Sequence, residues 1–492
     1  MRLSRLVQGV TGASIVGPDD IEVSEIHVDS REVTRGSLFV GLPGLETADS
    51  EVDRHVKQAI DRGAAAVAHQ GGGIPGVGVI RLGDARFALG HLAANFFDRP
   101  AEHLQILAVT GTDGKTTTTY LLDQILESSG LTTGLLGTVE VKIGAQRCRN
   151  DSRMTTPDAL EVQRLLARMV EQGVTHVSLE ASSHALALHR LEGCHFASCG
   201  LTNITRDHVE FHGSWEDYFH AKASLFTRLG IGRPAILNRD DAHFERLSSL
   251  VRGEMLTYGF HPEAMLRVLE IAPSKSGSEA TVLWHGGQAK LSVPIPGAYN
   301  VSNALAASAL ALSIGLSLED VSAGLAASRP PPGRWQRVDA GQDFDVVVDY
   351  AHTINGFRSI LSSLRERHPS PKRILAVFGA TGDRDREKRP VLAEVARQYT
   401  DFFIITNEDP YSERAEDIVG EVAAGVPARE EGKRFEREVD RGRAIARAVQ
   451  LAEPGDIVVI LGKGHEESIV SGDERLPWSD LAAATEAVAG LA

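Results

Sequence analysis

The stretch "LQILAVTGTDGKTTTTYLLDQILESSG", residues 104–130, decides the fold of this chain. Its continuous apolar start is typical of a strand that is buried on both faces of a parallel sheet. A glycine-containing loop follows, and a helical pattern begins directly after it. In this order, backbone N–H groups and a helix N-terminus can hold phosphate groups. The stretch therefore predicts an α/β domain with a phosphate-binding site.

We call residues 111–117 the phosphate loop; it comprises Gly111, Thr112, Asp113, Gly114, Lys115, Thr116 and Thr117. Lys115 would reach the β- and γ-phosphates of a nucleotide, and the Thr116 hydroxyl would hold Mg²⁺. Two residues separate the glycines, fewer than in the usual P-loop. The alternative is a glycine-rich turn with an exposed lysine. The strand before the loop and the helix after it favour the phosphate site.

The length of 492 residues is enough for about three domains. Residues 1–100 contain short β-like runs and end at Pro100. Strand and helix patterns then alternate, which favours a parallel sheet covered on both faces. Three consecutive prolines in "SRPPPGR", residues 328–334, predict a boundary. We therefore predict an α/β fold with domains over residues 1–100, 101–329 and 330–492.

Every predicted strand after this boundary runs into a polar motif. The strand patterns are "FDVVVDY", "RILAVFG", "DFFIIT" and "DIVVIL", and the motifs are "DYAHT", "GATGDRDREKR", "NEDPYSE" and "GKGHEES". Open α/β sheets bind ligands outside the carboxyl ends of their strands. The motifs together therefore predict one binding site on the C-terminal domain, although ordinary βα turns also favour Gly and Asp.

Composition excludes several classes of protein. A formal net charge of −15 argues against a nucleic-acid-binding role. Three cysteines without a CxxC motif do not form a disulfide framework and fit a reducing cytoplasm. The chain has no apolar run of transmembrane length, and its N-terminus lacks the apolar region of a signal peptide. We expect a cytoplasmic protein that does not insert into membranes.

The chain resembles the Mur ligases, the ATP-dependent amide-bond-forming enzymes of cell-wall precursor synthesis. Among them it is most similar to the MurE type, which adds the third peptide residue to UDP-N-acetylmuramoyl-L-alanyl-D-glutamate. The resemblance covers nearly the whole chain, and its motifs are "DSREVTRGSLFVGL" (29–42), "TGTDGKTTT" (110–118), "TTPD" (155–158), "LEASSHALALHR" (179–190), "TNITRDHVEFHGSWEDYFHAKASLF" (202–226), "GAYNVSNALAA" (297–307), "GRWQRVD" (333–339), "VVDYAHT" (347–353), "GDRDREKRP" (382–390) and "GKGHE" (462–466).

The resemblance implies an architecture and a reaction. An N-terminal domain would hold the UDP end of the substrate, a central domain ATP, and a C-terminal Rossmann-like domain the amino acid. Transfer of the γ-phosphoryl group of ATP would convert the substrate carboxylate into an acyl phosphate, which the amine attacks. The protein would contribute positioning and charge neutralisation.

Four residues would carry the chemistry by this resemblance: Lys115, Glu180, His208 and Lys222. Glu180 and His208 would hold Mg²⁺ together with Thr116, through oxygen and imidazole ligands. Lys222 matches a carbamylated lysine, whose carbamate would help to hold a second Mg²⁺. Without the resemblance, a lone Glu or His is more often structural, and Lys222 is an ordinary lysine on an amphipathic helix.

The resemblance also assigns the nucleotide and UDP-substrate contacts. Asn303 would lie at the adenine, and Arg334 and Asp349 would contact ATP from the C-terminal domain. The matching positions for the UDP-sugar dipeptide are Ser30, Thr155, Thr156, Ser182 and Arg190. The chain departs from the family at Leu188, usually glutamine, at Ile354, usually proline, and at "LETADSEVDRH", residues 45–55.

Asp113 is a further departure, since the family usually has asparagine there. Asp and Asn are similar in size and both tolerate turns. The carboxylate would repel the phosphates. We therefore expect it to face Mg²⁺ or a basic residue.

The incoming amino acid is suggested by "EDPY", residues Glu408, Asp409, Pro410 and Tyr411. Family members that add meso-diaminopimelate have "DNPR", whose arginine binds the distal carboxylate. A tyrosine cannot form a bidentate ion pair. Arg384, Gly462 and Glu466 match the positions that hold the other groups of the amino acid. This pattern favours lysine or ornithine, and leaves open diaminopimelate bound by a different residue.

We therefore predict an ATP- and Mg²⁺-dependent amide ligase that uses a UDP-MurNAc-dipeptide and a free diamino acid and acts as a monomer. One alternative is a related ligase that acts on another acyl substrate, such as a polyglutamate or cyanophycin-like one. The motif at residues 29–42 favours the first hypothesis. A second alternative is an inactive Mur-like binding protein; the presence of Lys115, Glu180, His208 and Lys222 argues against it.

Overall fold

The computed structural model describes residues 1–44, 49–71, 74, 77–150, 152, 154–274, 277–367 and 372–491. Within these ranges, three large sheets follow one another along the chain, with helices between their strands. This arrangement confirms the predicted α/β class, whereas the exact domain boundaries stay a prediction. Residues 45–48 of the departing segment "LETADSEVDRH" lie outside the described residues. The helices of the described part are all too short or too polar to cross a bilayer.

The first sheet lies in the N-terminal region and has five strands. They are β1 (Ser14–Val16), β2 (Ile26–His27), β3 (Leu38–Val40), β4 (Ala66–His69) and β5 (Gly78–Arg81), and the helices are α1 (Leu3–Leu6), α2 (Asp49–Asp61) and α3 (Ala85–Phe96). The strand order is β1-β5-β4-β3-β2, with β1 antiparallel to its neighbour and the other pairs parallel. α3 buries its apolar face on this sheet, because Leu89 and Leu92 share a core with Val40 and Ile80.

The central sheet has eleven strands. They are β6 (Gln105–Thr110), β7 (Thr133–Leu136), β8 (Glu140–Ile143), β9 (Gln146–Arg149), β10 (His176–Glu180), β11 (Phe196–Leu201), β12 (Ala235–Asn238), β13 (Met255–Gly259), β14 (Leu266–Pro273), β15 (Ser278–Trp284) and β16 (Gly287–Val293). The helices are α4 (Lys115–Ser128), α5 (Ala159–Glu171), α6 (Ser183–Ala187), α7 (Val209–His212), α8 (Trp215–Thr227), α9 (Phe244–Ser248), α10 (Ala298–Ser313) and α11 (Leu318–Ala327).

The middle of this sheet places the phosphate loop. The order is β16-β15-β14-β13-β12-β11-β6-β10-β7-β8-β9, parallel from β7 to β14 and antiparallel at both edges. β6 lies between β11 and β10, and its residues 106–109 are fully buried, as the apolar run predicts. α4 follows the loop and packs through Leu122 and Leu126 against Leu305 of α10. The carboxyl ends of β6, β10 and β11 therefore meet at the start of α4.

The C-terminal sheet has six strands, of which only β17 is antiparallel. Its strands are β17 (Gln336–Val338), β18 (Asp345–Asp349), β19 (Ile374–Phe378), β20 (Phe402–Ile405), β21 (Phe435–Arg437) and β22 (Ile457–Leu461), and β23 (Ser468–Ser471) and β24 (Glu474–Pro477) form a separate hairpin. The helices are α12 (Ile354–Arg367), α13 (Lys388–Tyr399), α14 (Ala415–Ala423), α15 (Arg441–Leu451) and α16 (Asp480–Ala489). The order β17-β18-β22-β19-β20-β21 brings the carboxyl ends of five parallel strands to one edge, and four of them, β18, β19, β20 and β22, run into the predicted polar motifs.

Candidate active site

A cleft of about 720 Å³ lies between the central and C-terminal sheets. It is lined by the predicted residues Gly111, Thr112, Asp113, Gly114, Lys115, Thr116, Thr117, Thr155, Glu180, Ser182, Arg190, His208, Lys222, Asn303, Arg334, Asp349, Arg384, Glu408, Asp409, Tyr411, Gly462 and Glu466. Three predicted residues are not part of its lining: Ser30, Thr156 and Pro410. The fold thus brings together nearly all residues that the sequence motifs indicate.

The phosphate loop needs glycine where α4 begins. Gly114 has a φ of +86°, a left-handed conformation that glycine adopts without strain. A Cβ atom at Gly114 would lie 2.1 Å from Oδ1 of Asn303. The loop is also anchored to the end of β11, because Thr112 N–H donates to the carbonyl of Asn203 at 2.8 Å. The backbone at the start of α4 is therefore held in a fixed conformation.

The two lysines of the site converge on the loop backbone. Nζ of Lys115 donates to the carbonyls of Gly111 and Thr112 at 2.9 and 2.8 Å, and Nζ of Lys222 donates to the Gly111 carbonyl at 2.6 Å. Lys222 is only 1 % exposed, and its Nζ lies 4.6 Å from the centre of the Tyr218 ring. Burial lowers the pKa of Lys222 well below its usual value, and the neighbouring charge of Lys115 lowers it further. Burial favours the neutral amine of Lys222.

Glu180 is a buried carboxylate at the end of β10. Its Oε2 accepts hydrogen bonds from the hydroxyls of Thr116 at 3.0 Å and Thr138 at 2.9 Å, and its Oε1 accepts from Thr138 N–H at 2.8 Å. Burial raises the pKa of Glu180, although these bonds and Lys115 oppose the shift. Hydroxyl and carboxylate oxygens are ligands that Mg²⁺ prefers. The pair of Thr116 and Glu180 therefore fits this cation chemically.

His208 is less closely joined to this pair than the resemblance implies. Its backbone is left-handed at a φ of +50°, and its ring nitrogens lie 3.4 Å from Asp207 and 3.5 Å from Glu210. Its ring also contacts His184, with the ring centres 4.6 Å apart. Within the described ranges, no group of three or more His, Cys, Asp and Glu side chains is placed to hold a metal. Glu180 and His208 line one cleft but do not form a closed metal site.

Arg334 and Asp349, which are predicted to contact the nucleotide, both line the C-terminal side of the cleft. The guanidinium of Arg334 lies 4.5 Å from the centre of the Tyr350 ring. Its buried Nε has no hydrogen-bond partner among the residues that the structure describes. Asp349 accepts from the N–H groups of Trp335 and Ala351 at 2.7 and 2.8 Å, and burial raises its pKa. An unpaired guanidinium nitrogen suits an anionic ligand.

Asp113 has partners that the sequence does not predict. Its carboxylate accepts a hydrogen bond from Oγ1 of Thr353 at 2.9 Å and one from Nδ2 of Asn355 at 3.4 Å. Both donors are neutral groups of the C-terminal domain and not the basic residue that we expected. The expected contact with Mg²⁺ stays a prediction. Lys115 and Lys222 interact with the Asp113 charge electrostatically. The carboxylate is therefore satisfied by bonds across the domain boundary.

The residues expected at the UDP substrate form a polar strip beside Glu180. Oγ1 of Thr156 donates to the Glu180 carbonyl at 2.7 Å, and Nη1 of Arg190 donates to the Thr156 carbonyl at 3.0 Å. Thr156 thus orients its neighbours from behind the cleft surface. Ser30 lies in the N-terminal domain, where its hydroxyl donates to Oε1 of Gln58 at 2.8 Å. Leu188 lines the cleft in place of the expected glutamine.

The predicted amino-acid pocket is rich in carboxylates. Asp409 and Glu466 both bind Nζ of the fully buried Lys463, at 2.9 and 2.5 Å. Glu408 accepts from the Thr381 hydroxyl at 2.8 Å, and its Oε2 approaches Gly462 so closely that a Cβ there would lie 2.4 Å away.

Tyr411 lines the same cleft. Its backbone is left-handed at a φ of +48°, and the guanidinium of Arg384 lies 5.7 Å from its ring centre. The Pro410 carbonyl accepts from Glu413 N–H at 3.0 Å, so Pro410 supports the turn from outside the pocket.

The sequence reasoning missed several residues that line the cleft: Thr138, His184, Asn203, Asp207, His352, Asn355 and Lys388. Most of them lie inside the quoted motifs, so the motifs themselves were the available signal. Nζ of Lys388 donates to the His352 carbonyl at 3.3 Å. Burial lowers the pKa of His352 to about 4, and the charge of Lys388 lowers it further. These residues add a cation and a neutral imidazole to the C-terminal side of the cleft.

Comparisons with known proteins agree with this geometry. The Mur ligase middle domain matches residues 109–311, and the Mur ligase glutamate ligase domain matches residues 333–464. A UDP-N-acetylmuramyl-tripeptide synthetase of Roseiflexus sp. (strain RS-1) is 40% identical over 513 residues, covering 100% of this chain and 99% of the relative. A UDP-N-acetylmuramoyl-L-alanyl-D-glutamate--2,6-diaminopimelate ligase of Solibacter usitatus is 38% identical over 496 residues, covering 100% and 99%.

One solved structure aligns over the same length. It is the structure of a UDP-N-acetylmuramoyl-L-alanyl-D-glutamate--2,6-diaminopimelate ligase, with a TM-score of 0.70, 29% identity and coverage of 100% of this chain and 99% of the other. The sequence motifs, the phosphate loop and the full-length similarity agree. The chain belongs to the Mur ligase family, with MurE-type enzymes as its relatives, and is an ATP-dependent amide-forming ligase.

Proposed function

We propose that the chain adds a diamino acid, as the third peptide residue, to UDP-MurNAc-L-Ala-D-Glu through an acyl phosphate. The observation that carries the proposal is the convergence of Lys115, Glu180 and Arg334 on one cleft between two domains. A phosphoryl transfer needs cations around the phosphates and exclusion of water. The names of the full-length relatives support the same acyl substrate and cell-wall role.

Lys115 and the N-terminus of α4 would bind the β- and γ-phosphates, and Arg334 would approach them from the C-terminal domain. Thr116 and Glu180 would hold Mg²⁺, with His208 as a further ligand. When bound, the cation supplies neutralisation of phosphate charge. Asn303 lies beside Gly114 at the loop and would contact the nucleotide at its adenine side. Asp349 would contact ATP together with Arg334.

Lys222 would carry a carbamate. Its neutral amine would attack the carbon of CO₂, so that a C–N bond forms, one C–O π bond opens, one amine proton leaves to water, and the neutral amine becomes an anionic carbamate. Burial supports this step because it depresses the pKa of Lys222. The carbamate would help to hold a second Mg²⁺. We expect Lys222→Ala to be nearly inactive, without rescue by excess bicarbonate and with partial rescue by a small carboxylic acid.

The carbamate itself can be observed by ¹³C NMR after incubation with labelled bicarbonate. The expected result is a carbamate signal in the wild-type enzyme that disappears in Lys222→Ala. A high-resolution crystal structure of an active preparation with an unmodified ammonium at Lys222 would contradict this assignment.

The UDP-sugar dipeptide would bind along Thr155, Ser182 and Arg190, with Ser30 at its UDP end. Arg190 is the cation of this strip, and the substrate is anionic at the phosphates and at the D-glutamate. The acyl carboxylate would then lie beside Glu180 and Lys222, where the phosphoryl group is transferred. We further propose that the enzyme is cytoplasmic and that it works as a monomer. Light scattering on the purified chain would test the monomeric state.

The pocket around Tyr411 favours lysine or ornithine over meso-diaminopimelate. Relative to the "DNPR" motif of diaminopimelate-adding enzymes, Asp409 replaces an amide by a carboxylate, and Tyr411 replaces the arginine. Both changes make the pocket less suited to a distal carboxylate. They suit a distal ammonium, which Glu408 would bind, because Asp409 and Glu466 already pair with Lys463. The names of the relatives do not support this preference, since one names no amino acid and others name 2,6-diaminopimelate.

The proposal is tested by ADP release from ATP with UDP-MurNAc-L-Ala-D-Glu and a panel of lysine, ornithine, meso-diaminopimelate and alanine. Mass spectrometry of the UDP product identifies the added residue. We expect turnover with a diamino acid and none with alanine. In a parallel assay, turnover only with glutamate and another acyl substrate would favour the polyglutamate alternative. Absence of turnover with every acyl substrate and amino acid would favour the inactive binding protein.

A further inference from the structure

Asp113 joins two domains at the phosphate loop. Its backbone is fixed to the central domain, because its N–H donates to Oδ1 of Asn203 at 3.0 Å and its carbonyl accepts from Oγ1 of Thr202 at 2.6 Å. Its side chain binds Thr353 and Asn355, which are about 240 positions further along the chain. One residue is thus held by the central domain through its backbone and holds the C-terminal domain through its carboxylate.

The C-terminal side of this contact is the start of α12. Oγ1 of Thr353 accepts from Gly356 N–H at 2.9 Å while it donates to Asp113, and the Thr353 carbonyl accepts from Phe357 N–H at 2.9 Å. Thr353 therefore caps the helix, and it is only 6 % exposed. A carboxylate near a helix N-terminus is stabilised by the unpaired N–H groups there. The charge of Asp113 is therefore favourable at this position.

We propose that Asp113, Thr353 and Asn355 form a latch that positions the C-terminal domain on the phosphate loop during catalysis. Thr353 and Asn355 are positioning residues, since they act through Asp113. The proposal rests on the proposed role of the loop in binding phosphate. An exposed ion pair, Arg206 with Glu387 at 2.7 Å, also crosses between the domains, but its side chains are 64% and 76% exposed and such pairs contribute little.

The latch matters because the C-terminal domain supplies Arg334, Asp349 and Arg384 to the cleft. These groups can act on ATP and the amino acid only while the domains are together. A weaker latch lowers the fraction of molecules in the assembled form, which lowers kcat for every amino acid alike. It leaves the phosphate loop and α4 intact. The effect should therefore appear in kcat and in the domain arrangement rather than in folding.

The hydrogen bond between Asp113 and Asn355 can be tested by exchanging its donor and its acceptor. Asp113→Asn keeps an acceptor for Thr353 but places an amide nitrogen opposite the amide of Asn355. Asn355→Asp places two carboxylates opposite each other, which repel. In the double variant, Asp113→Asn with Asn355→Asp, the amide oxygen still accepts from Thr353 and the amide nitrogen donates to the new carboxylate. Only the double variant restores both bonds.

The test compares wild-type enzyme with both single variants and the double variant. We expect Asn355→Asp to lower kcat by about ten- to a hundredfold, the range for a lost charge-assisted bond in a closed site. We expect Asp113→Asn to have a smaller effect and the double variant to recover to within about fivefold of wild type. A double variant that is as impaired as Asn355→Asp, or an Asn355→Asp variant within twofold of wild type, overturns the latch.

A second measurement does not depend on turnover. Small-angle X-ray scattering should show a larger radius of gyration for Asn355→Asp than for wild type, and a wild-type value for the double variant. Equal values for all variants overturn the latch, even if the loop assignment is correct. Thr353 gives a matched pair if Asn355→Asp does not fold: Thr353→Ser keeps the hydroxyl and should stay active, whereas Thr353→Val should reproduce the loss. Equal kcat values for these two variants also overturn the latch.

Discussion

Lys115 is the residue of the phosphate loop on which the proposed phosphoryl transfer depends most directly. Its ammonium is held at the loop by the carbonyls of Gly111 and Thr112. We expect Lys115→Ala to reduce the rate of ADP release by about 10²-fold or more. The reason is that removal of a group that stabilises the charge of the transition state commonly lowers the rate by this factor. Lys290→Ala, at an exposed position on β16, is the matched control and should match wild type. Turnover of Lys115→Ala within threefold of wild type would contradict the loop assignment.

Tyr411 is the residue on which the proposed amino-acid preference depends. A distal carboxylate facing it lacks a bidentate partner, and a buried unpaired carboxylate is penalised further. We expect discrimination against meso-diaminopimelate on the order of 10²-fold in kcat/KM. Tyr411→Arg should shift preference towards diaminopimelate, limited by Glu408 and Asp409, and Tyr411→Phe is the control that should keep the wild-type preference. Wild-type enzyme that prefers diaminopimelate, or an unchanged preference in Tyr411→Arg, would place the specificity elsewhere in the domain.

At the scale of elements, local sequence was enough to predict the strands and helices that hold the site. β6, the loop and α4 all lie within residues 104–130. The apolar run, the glycine-containing loop and the helical pattern of this stretch predict these elements in this order. The strands β14, β15 and β16 at one end of the central sheet were not predicted. Their outer faces are polar and partly exposed, so they lack the continuous apolar run that identifies a central strand. Their pairing is decided by the neighbouring strands rather than by local pattern.

The contact between α13 and the turn after Tyr411 provides a test at this scale. Arg389 of α13 is fully buried and binds Glu413 at 2.7 Å and Glu421 of α14 at 2.7 Å. Hydrogen bonds from Arg389 hold the pKa of Glu413 far below its usual value. A carboxyl whose pKa is depressed by folding stabilises the protein above its unfolded pKa, and this stabilisation is lost as the pH falls below it.

We therefore expect Glu413→Gln to lower the Tm at pH 7 by several degrees, because it leaves the buried Arg389 short of a charge partner. The difference from wild type should shrink as the pH is lowered below about 4.5, where the unfolded carboxyl begins to protonate. Glu416→Gln, at an exposed position of α14, is the control. A Tm difference that is the same at pH 7 and pH 4 would mean that the Glu413 charge does not contribute.

At the scale of the whole molecule, the sequence could indicate which motifs belong to the site but not how the domains meet. The bonds of Asp113 join residues about 240 positions apart, and no local pattern encodes such a pair. The same holds for Arg149 at the end of β9, whose Nη2 donates to the His465 carbonyl at 3.2 Å and which forms an ion pair with Glu467. Contacts of this kind depend on the relative placement of complete sheets.

Arg149 therefore gives a prediction that concerns the assembled molecule. It lies on the central sheet and supports the segment 462–467, which carries Gly462 and Glu466 to the amino-acid pocket. Without Arg149, the segment 462–467 loses the hydrogen-bond donor of the His465 carbonyl and the cation that pairs with Glu467. The phosphate loop keeps all its contacts. We expect Arg149→Ala to raise KM for the amino acid by about tenfold, the value of one charge-assisted bond, and to change KM for ATP by less than twofold.

Arg168→Ala, at an exposed position of α5, is the control for loss of a surface arginine. Initial rates of ADP release against each substrate separate the two KM values. If both rise together, Arg149 acts on domain closure as a whole; if neither changes, the segment 462–467 is held without it.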